Sequence, residues 1–305
     1  MITFIIRRIV LACLVILCVM SLAFMLTRLS GDLAISIAGP GSTQADVDII
    51  RKAYGLDRPI LVQFFDWTRL ALQGDFGSSF FFKEKVAHLI GQRMPVTLTL
   101  GCVGLTLALL ISLPLGIIAA LFENTWIDRT ALFLAIIGQA MPSFWLGLIL
   151  MIVFGLQLGW LPISGTGSWE HFVLPGIVLA FTAIPALTRL MRSGMIDALG
   201  SDYIRTARAK GLTRGSIIFK HALRNAALPV VSIAAVQLGF MLGGSIVIET
   251  VFALHGVGYL AWESISKNDF PVVQAVVLVL ASLYIALTLL SDILNAVLDP
   301  RLRDG

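Results

Sequence analysis

Charge is what this 305-residue chain has least of: 13% of residues are Asp, Glu, Lys or Arg, while 58% are hydrophobic. Soluble domains run at about 25% charged and about 45–50% apolar, so a water-soluble globule and a disordered tail are excluded. Cysteine is scarce too. Cys13, Cys18 and Cys102 each lie in an apolar run, with no CxxC pair and no Cys/His cluster, which excludes a disulfide scaffold and a cysteine-ligated metal site. No GxxxxGK[ST] phosphate loop occurs, so the chain is expected to hold no nucleotide and no cofactor of its own. Ionisable residues are missing from the middles of the apolar runs, which argues against the proton or sodium relay of a secondary transporter.

What is present is a series of charge-free runs: Ile9–Thr27, Met94–Phe122, Thr130–Trp169, Phe172–Thr188, Asn225–Ile248 and Phe270–Ser291. About 20 helical residues cross about 30 Å of hydrocarbon, so each run is expected to be a membrane span. The fold class is therefore an all-α membrane protein. Its spans are placed at 9–29, 95–121, 130–156, 172–191, 225–248 and 270–291, in a single domain over residues 1–305. The run from Thr130 is long enough for two spans. However, Gly159–Trp169 is rich in Gly and Pro and reads as a loop.

Charge placement agrees with a count of six. Between Arg189 and Arg224 stand eight basic residues against Asp197 and Asp202. The positive-inside rule places this loop and Arg7-Arg8 on the cytoplasmic side, as an even number of spans between them requires. Both termini are then cytoplasmic. Residues 30–94 form an extracytoplasmic segment with two expected helices. One is capped at Ser42/Thr43, with Asp46 in its first turn and Gly55 as its stop; the other runs from Ile60 to Leu72 before Gly74. These helices either pack on the rim of the bundle or touch a solute or docking protein.

The cytoplasmic loop, 192–224, carries the sharpest local pattern. Ser201-Asp202 can cap a helix that runs through Tyr203, Arg205, Thr206, Ala207 and Arg208 to Lys210 and stops at Gly211, with a second helix starting near Thr213. Composition alone allows a basic loop lying on anionic lipid or a small-residue helix that meets another protein. Span five contains Gln237, Gly239, Gly243, Gly244 and Ser245, a density of small residues that marks either close helix packing or a hydrated pathway. Pro142, beside Gln139 and Ser143, suggests a kink in span three. His255 has no partner at metal spacing and reads as a surface residue. Ser164 with His171 offers no oxyanion donor set, so an enzyme is not expected.

The string YIRTARAKGL followed by HALRNAALPV resembles the EAA loop of permease subunits of binding-protein-dependent ABC importers, in the dipeptide/oligopeptide/nickel and glutathione branch. GLDRPILVQFFDW, GDFGSSF, MPSFWLGL, LGWLPISG, ETVF, HGVGYL, DFPVVQ and LDPRLRDG extend the resemblance over nearly the whole chain. Arg205-Thr206-Ala207 stands where the wider superfamily has Glu-Ala-Ala, which matches this branch and leaves the role of the consensus glutamate without a carrier.

The resemblance implies an inner (cytoplasmic) membrane permease, half of a pore, moving peptides, a nickel chelate or glutathione. Tyr203, Arg205, Thr206, Ala207, Arg208, Lys210 and Gly211 would couple it to two ATPase subunits that hold the ATP and magnesium. It further implies a second, related but distinct permease subunit, an extracytoplasmic solute-binding protein, and no nucleic-acid partner. Some of Gln237, Gly239, Gly243, Gly244 and Ser245 would line the pathway, and Glu249 and Trp262 would belong to an external gate. The competing reading is a self-contained channel or secondary transporter, in which the cytoplasmic loop has no purpose.

Overall fold

The computed structural model describes residues 2–29, 32–39 and 41–298. The motif LDPRLRDG therefore lies outside the described residues except for Leu298. The described chain is helical apart from its connections and one isolated bridge, Ser78 to Lys85.

A long apolar helix, α1 (Ile2–Leu29), opens the chain. The segment expected to be extracytoplasmic carries α2 (Leu33–Ala38), α3 (Gln44–Ala53) and α4 (Ile60–Leu72). The expected start of α3 is a capping box: Thr43 Oγ accepts from the Asp46 amide, and the Asp46 carboxylate accepts from the Thr43 amide at 3.0 Å. Just past its C-terminus Gly55 takes the left-handed φ of +63°. Helix α4 lays Phe64 and Trp67 on Phe24 of α1, with ring centroids 5.4 and 5.9 Å apart, so α4 packs on the rim of the bundle, while α3 is tied through Arg51 to Asp32 at the start of α2.

Next come α5 (Val86–Leu121) and the broken element α6 (Trp126–Ile137) with α7 (Ser143–Gln157). They are followed by α8 (Val173–Gly200), α9 (Asp202–Ala209), α10 (Arg214–Val251), α11 (Val257–Ser266) and α12 (Phe270–Leu298). Helix α5 begins nine residues before the expected 95, and α8 continues nine residues past the expected 191, through Arg192 and Asp197. Hydropathy reports where a helix leaves the hydrocarbon, whereas backbone hydrogen bonding lets it continue into water.

Span three departs most from expectation. It is not one helix over 130–156 but two short ones parted at Gly138–Pro142, and among the described residues five helices, not six, are individually long and apolar enough to cross a membrane. Pro142 lacks an amide proton and disfavours helix at Met141, so the expected kink is a full break. Phe181 of α8 fills the gap: a Cβ on Gly138 would lie 1.8 Å from its ring.

Contacts along the long helices set their directions. Gly104 meets Leu179 and Gly116 meets Met191, so α5 and α8 run parallel at a constant offset. Thr97 meets Glu249 and Gly101 meets Leu242, which makes α5 and α10 antiparallel. Gly239 against Tyr284, with Ser291 Oγ donating to Ser232 O at 2.7 Å, sets α10 antiparallel to α12. The Arg8–Asp292 ion pair at 2.8 Å and the Gln274–Thr27 hydrogen bond do the same for α1 and α12. Because α5 and α8 are parallel, the chain must return between them. The pair α6–α7 makes that return: Asp128 lies at the far end of α8, while Gly147 lies against Phe252 at the opposite end of the bundle. Helix α8 is the most enclosed, with Leu187, Met191 and Met195 inaccessible to solvent, whereas α1 exposes Leu14, Leu17 and Leu22.

Candidate functional site: the α9 helix and the two ends of the bundle

The start of α1 at Arg8, the end of α8, all of α9 and the start of α10 lie at one end of the bundle. Helix α9 begins after Ser201 and ends where Gly211 turns at φ +73°, as the glycine signal requires; the Ser201 hydroxyl donates to Ala198 O of α8 and does not cap α9 as expected. A Cβ on Gly211 would meet nothing within 4 Å, so backbone conformation alone calls for glycine here. Ile204 and Ala207, three residues apart and hence on one helical face, are buried with Ile217, Ile218 and Ala222 of α10. Ala207, expected to meet a partner, is thus turned into the chain's own core. Tyr203, Arg205, Thr206, Arg208, Lys210 and Gly211 remain on the exposed side. The Tyr203 hydroxyl accepts from Asn225 Nδ2 at 2.9 Å, which ties α9 to the root of α10. The Arg205–Asp202 pair, 3.0 Å apart, is fully in solvent and contributes little.

Behind α9, Arg192 of α8 grips Asp128 of α6 through Nε and Nη2, both at 2.7 Å, and Asn124 donates its amide to the same carboxylate at 3.0 Å. Asp128 is 4% exposed. The pair stands 64 residues apart in sequence, and nothing local announces it. Asp128→Ala leaves Arg192 without its anion, which costs about 3 kcal/mol, the lower end of the range for breaking such pairs, since Arg192 keeps some water. The thermal midpoint of the purified protein is expected to fall and to recover in Asp128→Leu/Arg192→Met. An unchanged midpoint in the single variant would show the pair to be dispensable.

At the opposite end stands Glu249, expected at an external gate. Its side chain is fully buried, accepting from Thr97 Oγ1 at 2.8 Å, Ser245 Oγ at 2.9 Å and the Tyr259 amide at 2.9 Å; Thr97 Oγ1 in turn accepts from the Val257 amide. The carboxylate therefore caps α11 from a distance. The glycines of HGVGYL make room for it: a Cβ on Gly256 would lie 2.4 Å from Glu249 Oε2. Trp262 is 46% exposed, beside Tyr259, which stacks on the exposed His255.

Asp269, which sequence reasoning missed, is equally buried. It accepts from Ser79 Oγ and from the Phe80 and Phe81 amides at 3.2 and 3.3 Å, so the GDFGSSF and DFPVVQ segments meet in one turn. The only local signal for it was a lone acid directly before an apolar run.

The five residues expected along a pathway divide. Gly239 packs on the Tyr284 ring, and Ser245 belongs to the Glu249 cluster; both serve packing because their helix faces meet α12 and α5. Gly243 and Gly244 are exposed with open space around them, and Gln237 is half-buried.

Comparison with known proteins decides among the alternatives. Residues 112–304 match the family described as binding-protein-dependent transport system inner membrane component, and residues 1–101 match its N-terminal companion. The chain belongs to this family. Similar relatives include the glutathione transport system permease protein GsiC of Salmonella choleraesuis (strain SC-B67), 42% identical over 275 residues that cover 90% of each chain. The protein of the same name in Escherichia coli (strain K12) is 40% identical with the same coverage. Among solved structures, the crystal structure of an amino acid ABC transporter with histidines aligns with a TM-score of 0.50 at 18% identity, over 70% of this chain and 94% of that one; it supports the fold alone. The protein is thus an inner-membrane permease subunit of an ABC importer. It works with a solute-binding protein and with ATPase subunits rather than as a self-contained channel or secondary transporter.

Proposed function

We propose that the permease crosses the membrane six times, with α6 and α7 together forming the third crossing, and that the end carrying α9 faces the cytoplasm. The parallel run of α5 and α8, which needs a return between them, supports this, as does the cluster of basic residues between Arg189 and Arg224. The exposed face of α9, Tyr203, Arg205, Thr206, Arg208, Lys210 and Gly211, seats in a groove of an ATPase subunit. Such a subunit carries the ATP and magnesium. The permease pairs with a second permease chain to enclose the pathway, toward which Gln237, Gly243 and Gly244 present a small, open surface. The solute is a short peptide of the size class named for the glutathione permeases.

The observation that carries the coupling role is the seating of α9. Ile204 and Ala207 anchor it rigidly to α8 and α10, so a push on its outer face moves whole helices instead of bending a loop. Gly211→Val places a β-branched residue at φ +73°, where only glycine is at ease. Affinity purification is expected to retain a phosphate-loop ATPase with the wild-type chain, to lose most of it with Gly211→Val, and to retain it with Gly215→Ala, a helical position with open space. Undiminished ATPase in the valine variant would sink the assignment of α9.

A further inference from the structure

A cleft of 540 Å3 opens on the extracytoplasmic side, between α3 and α4 and the adjoining ends of α1 and α12. That volume suits a small ligand. Two of its lining residues each carry a buried atom that has no hydrogen-bond partner among the described residues: the donor Arg28 Nε and the acceptor Gln63 Oε1. Both side chains are held in place. The Arg28 guanidinium lies 4.8 Å over the Phe24 ring. Gln63 Nε2 donates to the carbonyls of Leu56 and Arg58 at 3.1 and 2.8 Å, which fixes the direction of its free oxygen.

The neighbouring charges are matched among themselves. Asp32 pairs with Arg51, Asp66 lies 3.4 Å from Arg58, and Asp75 accepts from the Gly77 amide. Among the described residues, Arg28 has no acid within ion-pairing distance, so the cleft is lined both by a cation without a counter-ion and by a glutamine with an unused acceptor.

We propose that this cleft binds the free carboxyl end of a short peptide, with the carboxylate on Arg28 and an amide N–H of the peptide donating to Gln63. A carboxylate satisfies a guanidinium better than any neutral acceptor. The need for a donor at Gln63 favours a peptide over the phosphate of a lipid headgroup, which offers acceptors only. Trp67 and Phe76 line the remaining wall and can cover an apolar side chain. The site lies outside the membrane-spanning bundle and adds a place where solute is held at the permease itself; the choice of a peptide as ligand rests on the solute class proposed above.

Calorimetric titration tests this on the permease with its co-purifying subunits, in nanodiscs and without the binding protein. Trialanine is expected to bind saturably, and trialanine amide at least about tenfold more weakly, the size of one charge-assisted hydrogen bond. Arg28→Gln is expected to weaken trialanine binding to a similar degree and Gln63→Leu severalfold, while Arg69→Gln, at an exposed position outside the cleft, leaves it unchanged. Equal binding of trialanine and its amide to the wild type, or no saturable heat, overturns the proposal whether or not a variant folds. If Arg28→Gln alters only the phosphatidylglycerol retained in the disc, the cleft is a lipid site and the proposal falls as well. ATPase retention is unaffected by any of these results, so failure here stays distinct from failure of the importer reading.

Discussion

Replacing Gly116 with valine is expected to remove the folded permease from the membrane almost entirely. Gly116 faces α8 at the closest point of the two parallel helices. A Cβ there would lie 2.7 Å from Met191 Cβ and 2.8 Å from the Thr188 carbonyl oxygen. A flexible side-chain end can move away from such a contact, but a backbone carbonyl inside a helix cannot. Gly104, Ala108, Ser112 and Gly116 recur every four residues along this face and are all buried, so the helices meet backbone to backbone in the manner that small residues permit in membranes. The strain of overpacking, usually about 1–3 kcal/mol, is expected at or above its upper end here. Gly91 of the same helix has nothing within 4 Å, and Gly91→Ala is expected to be neutral or stabilising by about 0.5–1 kcal/mol. Membrane yield and thermal midpoint in detergent decide the matter. A valine variant that accumulates normally would mean that α5 and α8 are not packed this closely.

Glu249→Ala is the second large effect expected. Two groups lose their only described acceptor, the Thr97 hydroxyl proton and the Tyr259 amide, since Ser245 still bonds to the Leu242 carbonyl at 3.0 Å. At about 1–3 kcal/mol for each buried unsatisfied group, the loss is about 2–6 kcal/mol. Glu249→Gln is expected to lose about half as much: its –NH2 faces a donor in either orientation, because the Thr97 and Ser245 hydroxyls and the Tyr259 and Gly258 amides around the carboxylate all donate to it. Uptake is expected to fall in step with the thermal midpoint in both variants. A variant with a wild-type midpoint and no uptake would return Glu249 to the external gate and remove it from the scaffold.

The two residues show what kind of information a linear chain carries. The rarity of charge announced a membrane protein, and the charge-free runs located the long apolar helices, because the cost of a charge in hydrocarbon is paid locally, residue by residue. Helix ends were legible for the same reason. Thr43 with Asp46 and the glycines at 55 and 211 each act on backbone groups within four residues. The family was legible through ordered short motifs, and the family comparison agrees with it.

Interactions between distant segments were not legible. Asp128 with Arg192, Glu249 with Thr97, and Asp269 with Ser79 join positions 64, 152 and 190 residues apart. In sequence, each acid looks like a charge marking the edge of a span. Pro142 warned of a disturbance in span three, but only the fit of Phe181 against Gly138 made it a break. The small residues of α9 and α10 looked alike until packing sorted them, with Ala207, Gly239 and Ser245 turned inward and Gly211, Gly243 and Gly244 left open. The sequence by itself determined the membrane, the long apolar helices, the helix α9 and the family, since solvation and backbone capping depend on near neighbours. The tertiary structure alone decided which polar groups are scaffold and which face a partner, since that depends on what a second helix places opposite them.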